Sequence, residues 1–436
     1  MVSTYGTRSR RRLWTFGAAA VPIIALAAAL GADDFDADPI RYTTTAPRDA
    51  IAGLQQKLDR GQTRLAWDAE RGYLPSVLQQ LGVPRSSQML VFSKTSFQRD
   101  RISPLSPRAI YFNDEVYLGW VQGGSVLEVS TADPQLGAVF YTLEQQPDSA
   151  PKFVRQTYEC LSCHSSSLTL GVPGHTVRSV YPGRDGLPFL QAGTHVTTHE
   201  SPLSQRWGGW FVTGTHGEQR HLGNLTFKDP EQTDRPATDA GANLTELKRR
   251  FRTSPYLTPH SDIAALMVLE HQTYVQNLIT RANYETRKAL HFERMLNKDL
   301  GRPAGFRSDS TVSRIKSVCE PLVRGLLFCK EAKLTAPVAG TSGFQAEFSK
   351  EGPRDGKGRS LRDFDLKQRL FRYPCSYLVY SPAFDGLPEL AREYVYRRLG
   401  EVLDGNDTSP EFAHLTAPDR TAIREILRDT RPAFGE

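Results

Sequence analysis

The sequence feature that most constrains this chain is the five-residue run Cys160-Leu161-Ser162-Cys163-His164. Two thiols three residues apart lie on one side of a helical turn, and the histidine follows directly after them. At this spacing two cysteines can form thioether bonds to one haem while the histidine binds its iron. The run therefore predicts one covalently attached haem, with Cys160 and Cys163 as attachment residues and His164 as an iron ligand.

A Cys-x-x-Cys pair also occurs in other kinds of site. A thioredoxin-like redox pair would follow a strand in a βαβ pattern, whereas the polar run 152–159 precedes this one. A structural zinc site would need a second pair of ligands, and none follows at zinc-finger spacing. A structural disulfide between the two cysteines is a further alternative. The histidine directly after the second cysteine favours haem.

The N-terminus indicates where the protein works. Four arginines between residues 8 and 12 precede an uncharged apolar run at 13–32. This arrangement is typical of a secretory signal peptide or of an uncleaved membrane anchor, and the run is long enough to span a bilayer. Pro22 and the small residues near the end of the run favour cleavage over anchoring. We expect a periplasmic protein, or one held at the outer face of the cytoplasmic membrane through residues 13–32.

The charge of the chain follows largely from this segment. Removing residues 1–32 takes away four arginines and no acidic residue, which lowers the formal net charge from +6 to +2. No nucleic-acid-binding surface is expected from such a balance. The partner that we expect is a periplasmic or membrane redox protein.

Local patterns predict an α+β protein with a small β-rich N-terminal lobe, an irregular haem-binding segment and a helical C-terminal half. The expected parts are 1–32 as signal peptide or anchor, 33–150 as β-rich lobe, 151–240 as haem c-binding segment and 241–436 as helical region. Strands are predicted at 89–93, 109–112, 116–121, 126–129, 138–143, 176–181 and 209–213. Helices are predicted at 51–58, 76–81, 151–171, 244–251, 262–297, 313–330, 360–370, 386–403 and 417–427.

The segment 171–224 is rich in glycine, arginine and aromatic residues, and it contains five of the ten histidines. Because it follows the haem motif directly, we expect it to surround the haem. His216 and His221 lie beside glycines and are candidates for a sixth iron ligand. The candidates for binding haem propionates are Arg178 and Arg206, and those for an apolar wall are Trp207 and Trp210.

The predicted helix 262–297 places Met267, His271, Tyr274 and Leu278 on one face. We expect these four side chains to be part of the core. As an alternative, His271 is the first candidate and Met267 the second for a position near the haem. The remaining cysteines are Cys319, Cys329 and Cys375. Ten helical residues at 1.5 Å each separate the first two by roughly 15 Å, too far for a disulfide. Buried free thiols are expected, and a disulfide from Cys375 to either of the others stays open.

The residues Cys160, Cys163 and His164 resemble the haem-attachment motif of the c-type cytochromes. The resemblance implies two thioether links and one proximal iron ligand. The chain differs from small cytochromes c in its length, and its first methionine after the motif is Met267. The runs 201–203 (Ser-Pro-Leu), 206–210 (Arg-Trp-Gly-Gly-Trp) and 373–377 (Tyr-Pro-Cys-Ser-Tyr) resemble sequences in an uncharacterised group of exported bacterial proteins that carry one such haem. No activity is implied by that similarity.

Three functions are compatible with these features. The first is an exported c-type cytochrome with one haem that transfers single electrons, with a second histidine opposite His164. The second is a haem-dependent oxidoreductase or peroxidase-like enzyme with an open distal site, because an electron carrier needs far fewer residues. The third is a sensor or docking subunit that presents its haem to a partner. No nucleophile-elbow, Walker or zinc-protease motif is found.

Overall fold

The computed structural model describes residues 1, 35–147, 150–303 and 305–434. The predicted signal peptide or anchor at 1–32 therefore lies almost entirely outside the described residues. Within the described ranges, no helix is both long and apolar enough to cross a membrane.

The N-terminal half is built on a seven-stranded antiparallel sheet with the strand order β6-β5-β4-β3-β2-β1-β9. Its strands are β1 (Met89–Val91), β2 (Arg108–Phe112), β3 (Val116–Trp120), β4 (Val126–Asp133), β5 (Gly137–Glu144), β6 (Phe153–Gln156) and β9 (Trp210–Phe211). A separate two-stranded ribbon pairs β7 (Arg178–Val180) with β8 (Thr194–Val196). The predicted β-rich region is confirmed, and each of the seven predicted strands is present with bounds shifted by a few residues.

Directly paired residues of an antiparallel sheet point to the same side, so the register defines two faces. One of them, which we call the α4 face, packs in part against the long helix α4 (Ile263–Asp299). The opposite face packs against the N-terminal helices α1 (Ala50–Asp59) and α2 (Leu74–Gln80). The α4 face includes Met89, Val91, Arg108, Ile110, Phe112, Tyr117, Gly119, Glu128, Ser130, Phe140, Thr142, Val154, Gln156 and Trp210.

The C-terminal half is helical, so the predicted α+β architecture is confirmed. Its helices are α4 (Ile263–Asp299), α5 (Asp309–Leu326), α6 (Phe344–Phe348), α7 (Pro382–Asp385), α8 (Glu389–Leu403) and α9 (Ala417–Thr430). Helix α4 begins at the N-cap residue Asp262, whose side chain accepts hydrogen bonds from the backbone N–H groups of Ala264 and Ala265. The first half of α4 is almost wholly buried, because it lies between the sheet and the other helices.

Three helix predictions are wrong. Residues 153–156 of the predicted helix 151–171 form the edge strand β6, because β5 supplies their backbone partners, and α3 (Leu161–His164) spans one turn. The predicted helix 244–251 is irregular chain with a turn at 248–250. In the predicted helix 360–370, one carboxylate oxygen of Asp365 accepts hydrogen bonds from three successive backbone N–H groups and closes a turn instead.

Candidate functional site

The Cys-x-x-Cys-His motif lies at the surface, where strand β6 is followed by helix α3. The backbone N–H of His164 donates to the Cys160 carbonyl at 2.9 Å and closes the single turn. The buried Leu161 anchors the turn in the core, whereas the Cys163 side chain is exposed and that of Cys160 is half-buried. Both thiols are free. The turn therefore presents two unpaired thiols and one imidazole side by side.

The imidazole of His164 is held in one tautomer. Its Nδ1–H donates to the Gly174 carbonyl at 3.0 Å, and the Gly174 N–H donates to the His164 carbonyl at 2.9 Å. The ring packs on Phe140 with a centroid distance of 4.8 Å. Burial lowers the pKa of His164, which favours the neutral ring. A neutral ring protonated at Nδ1 leaves the Nε2 lone pair for a metal ion.

Helix α4 positions the carbonyl that orients His164. The Asn277 side chain on α4 accepts a hydrogen bond from the His175 N–H at 3.0 Å and donates one to the His175 carbonyl at 2.7 Å. A Cβ on Gly174 would lie 2.3 Å from the Asn277 Oδ1 atom, so only glycine fits there. This contact joins residues more than one hundred positions apart.

His175, which sequence reasoning did not single out, packs on the same Phe140 ring as His164, with a centroid distance of 5.9 Å. Its Nε2 shares a hydrogen bond with the Ser130 hydroxyl at 2.9 Å, and its ring lies 4.3 Å from that of Tyr117. Burial lowers the pKa of His175 to about 3. The only sequence signal for this arrangement was its membership of the histidine-rich segment 171–224.

A charged pair on the α4 face of the sheet adjoins the motif. Arg108 and Glu128 form an ion pair at 2.6 Å, and the guanidinium lies across Gly119, where a Cβ would approach it to 2.2 Å. Burial, helped by Glu128, raises the pKa of Cys160 to about 11. The Arg108 Nε atom is buried without a hydrogen-bond partner among the described residues. Sequence reasoning did not identify this pair. The available signal was the alternation of polar and apolar residues along β4, which includes Glu128.

Two of the predicted haem-contacting residues lie over the same face of the sheet. Trp210 pairs with Val91 in the register, and its indole N–H donates to the Arg178 carbonyl at 2.8 Å. The Arg178 side chain donates to the Thr194 hydroxyl at 3.3 Å, and its buried Nε finds no acceptor in the described part of the chain. Trp210 therefore fixes the β7–β8 ribbon over the β9 end of this face, while the motif lies near its β6 end.

The other two predicted residues belong to a separate buried cluster. Arg206 forms an ion pair with Glu270 of α4 at 2.9 Å and donates to the carbonyls of Ser201 and His199. Trp207 is fully buried beside the His221 ring, at a centroid distance of 5.3 Å. Because its donors are used within the protein, Arg206 stabilises the loop that carries it.

The three predicted distal ligands use their ring nitrogens for other contacts. His216 donates from Nδ1 to the Gln219 carbonyl and accepts at Nε2 from the Asn243 N–H. His221 accepts at Nδ1 from the Gly223 N–H. His271 shares hydrogen bonds with His199 and Ser376. None of these histidines has a hydrogen bond or ring contact with His164 within the described chain. Met267 is a buried core residue.

The last three cysteines, Cys319, Cys329 and Cys375, are buried free thiols, as expected. Burial raises the pKa of each to about 12, which disfavours the thiolate form. In the described residues, no three His, Cys, Asp or Glu side chains are arranged to hold a metal ion. Comparison of the chain with protein-family models, with curated proteins and with solved structures finds no match.

Proposed function

We propose that this protein is an exported c-type cytochrome that carries one covalent haem on Cys160 and Cys163 and transfers single electrons. The observation that carries the proposal is the His164 side chain, which lies beside two free thiols with its Nδ1–H bonded to a backbone carbonyl. In metal-binding histidines of proteins, a hydrogen bond from the ring nitrogen that does not bind the metal fixes the tautomer and the orientation of the ring.

The surroundings of the motif have the chemistry that a haem requires. The porphyrin needs an apolar surface, and the exposed side chains of Val154, Tyr158 and Leu168 adjoin the motif in sequence. Val154 also points to the same side of the sheet as Phe140, on which the His164 ring packs. The buried Nε atoms of two arginines, at positions 108 and 178, are donors suited to haem propionates. A haem bound here would supply one-electron redox chemistry.

The contribution of the chain itself would be to orient and tune the haem. The Gly174 carbonyl, held through His175 by Asn277, would strengthen His164 as an electron donor to a bound iron. The Arg108–Glu128 pair places a positive and a negative charge near the site, and both charges influence the redox potential. As an exported protein it would exchange electrons with a periplasmic or membrane redox partner.

Attachment can be tested by expressing the exported protein together with a haem c maturation system and measuring covalent haem by mass spectrometry and pyridine haemochrome absorption. We expect one haem per chain. Cys160→Ser and Cys163→Ser should each abolish or cripple attachment. Two matched controls, the exposed Ser162→Ala inside the motif and the buried Cys319→Ser outside it, should retain full loading. A wild-type protein without covalent haem, or equal loading of motif variants and controls, would contradict the proposal.

A second candidate is a haem enzyme or ligand-binding protein with an open distal site. One observation favours it. Both ring nitrogens of His216 and of His271, and one ring nitrogen of His221, form hydrogen bonds to groups away from the motif. Absorption spectra of the reduced protein with and without carbon monoxide distinguish the two. A low-spin iron that does not bind carbon monoxide supports the electron carrier, whereas a high-spin iron that binds it supports the enzyme.

A further inference from the structure

The far end of the long helix α4 carries an exposed apolar surface. We name this region, residues 292–312 apart from Ala304, the α4–α5 tip. Six large apolar side chains of the tip each expose between 38% and 62% of their area, and such clusters are unusual on a water-facing surface. They are Phe292, Met295, Leu296, Leu300, Phe306 and Val312.

Polar contacts hold the tip together and leave these side chains outside. One carboxylate oxygen of Glu293 accepts hydrogen bonds from the Ser308 N–H at 2.6 Å and from its hydroxyl at 2.9 Å. Asn297 donates to the Phe306 carbonyl at 3.0 Å. Glu293 and Asn297 lie one turn apart on the buried side of α4. Phe292, Met295 and Leu296 take the exposed positions between these contacts on α4. Leu300, Phe306 and Val312 continue the exposed apolar surface along the end of α4, the connection and the first turn of α5.

Exposed cations surround the apolar side chains. Arg294, Lys298 and Arg302 are exposed, and the Arg302 guanidinium lies 4.9 Å from the centre of the Phe306 ring. Residues 287–316 contain eight lysines and arginines against three acidic residues, of which Glu293 is buried. A surface that is apolar at its centre and basic at its rim is typical of proteins that bind the interface of an anionic membrane.

The N-terminal segment meets the body of the protein beside this tip. The Arg287 guanidinium donates to the Pro39 carbonyl at 2.9 Å and to the Gln135 carbonyl at 2.8 Å. Arg287 precedes Phe292 on α4 by little more than one helical turn. Pro39, which follows the apolar run 13–32 by seven residues in the sequence, thus contacts α4 close to the tip.

We propose that the α4–α5 tip is a membrane-contact surface that binds anionic phospholipid. Its apolar side chains would enter the interfacial region of the bilayer while Arg294, Lys298 and Arg302 bind lipid phosphates. The run 13–32 is a less suitable cover for the tip, because the four arginines that precede it would bring positive charge to a basic rim. This surface would keep the protein at the membrane after cleavage of a signal peptide, and would orient it if the segment stays as an anchor.

The proposal can be tested on the exported protein by hydrogen–deuterium exchange with vesicles of phosphatidylcholine alone or mixed with phosphatidylglycerol. We expect the amides of residues 300–308 to become protected only when phosphatidylglycerol is present, and to lose this protection at high salt. Residues 97–105, which carry the exposed Phe97 and Leu105, serve as an internal control and should stay unchanged. Protection of the tip without vesicles would mean that the chain itself or a second copy covers it, and would overturn the proposal.

Vesicle co-flotation of variants supplies an independent measurement. Arg294→Gln/Lys298→Gln should weaken partitioning into phosphatidylglycerol vesicles by about 30-fold, and Phe292→Ser/Leu300→Ser should weaken it further. The matched controls are Lys248→Gln/Arg249→Gln, two exposed cations elsewhere, and Phe97→Ser/Leu105→Ser, two exposed apolar residues elsewhere. If the controls lose as much binding as the tip variants, or if the tip variants lose none, the proposal is wrong.

Discussion

The buried His221 should make the stability of this protein depend on pH in a measurable way. Its side chain is almost fully buried beside Trp207 and His216, and it accepts a hydrogen bond from the Gly223 N–H at Nδ1. Burial, with His216 and Arg220 adding to it, lowers its pKa from 6.5 to about 3. The folded chain therefore keeps this ring neutral at pH values where the unfolded chain protonates it.

The sign and size of the effect follow from the two pKa values of His221. Because the folded value is the lower one, the contribution of the neutral ring to stability is complete above pH 6.5 and is lost as the pH falls toward 3. Between pH 7.5 and pH 5 the unfolded state gains about 2 kcal/mol from protonation of this one side chain. Other titrating groups act over the same interval, so the effect of His221 must be isolated by comparison with a variant.

The variant for this comparison is His221→Gln, which removes the titrating ring and keeps a side-chain acceptor. Urea unfolding at pH 7.5 and pH 5, followed by tryptophan fluorescence, gives the free energy of unfolding of both proteins. We expect the wild type to lose about 2 kcal/mol more than the variant over this interval. The control Val212→Ala, a buried substitution without a titrating group, should lose as much as the wild type. Equal losses in wild type and His221→Gln would refute the argument.

Three further changes test particular contacts. Glu270→Ala should lower the free energy of unfolding by about 3 to 5 kcal/mol in urea titrations, because it leaves the Arg206 charge buried and unpaired; Glu270→Gln should cost less. Asp262→Ala removes the N-cap of α4 and the acceptor for the Thr341 and Ser342 N–H groups. It should lower the free energy of unfolding by about 2 to 4 kcal/mol, and Asp262→Asn should recover much of this loss. Gly174→Ala should lower the thermal midpoint, because its Cβ would displace the carbonyl that orients His164. In the haem-loaded protein it should also shift the reduction potential. The control is Gly53→Ala, in open space on α1, which should not destabilise the protein.

Local sequence signals were enough for most of the architecture. The strands β2 to β5 were predicted from β-rich runs separated by turn residues, and helix α4 from its apolar face and its length without an internal proline or glycine. The predictions failed for short segments, such as 153–156 and 360–370. An isolated short helix is marginal in water, so these residues adopt whichever backbone partners the surrounding structure offers. For 153–156 the partner is β5, and for 360–370 it is the side chain of Asp365.

The sequence by itself determined the attachment chemistry that we propose, because the spacing of Cys160, Cys163 and His164 depends only on the geometry of one helical turn. Tertiary structure decided what surrounds that turn. It brought Asn277 of α4 against the Gly174–His175 segment and Arg108 of β2 beside the motif. It also placed His216, His221 and His271 in buried contacts of their own. These outcomes depend on packing between residues far apart in the chain, so a local sequence pattern does not predict which partner each buried histidine will contact.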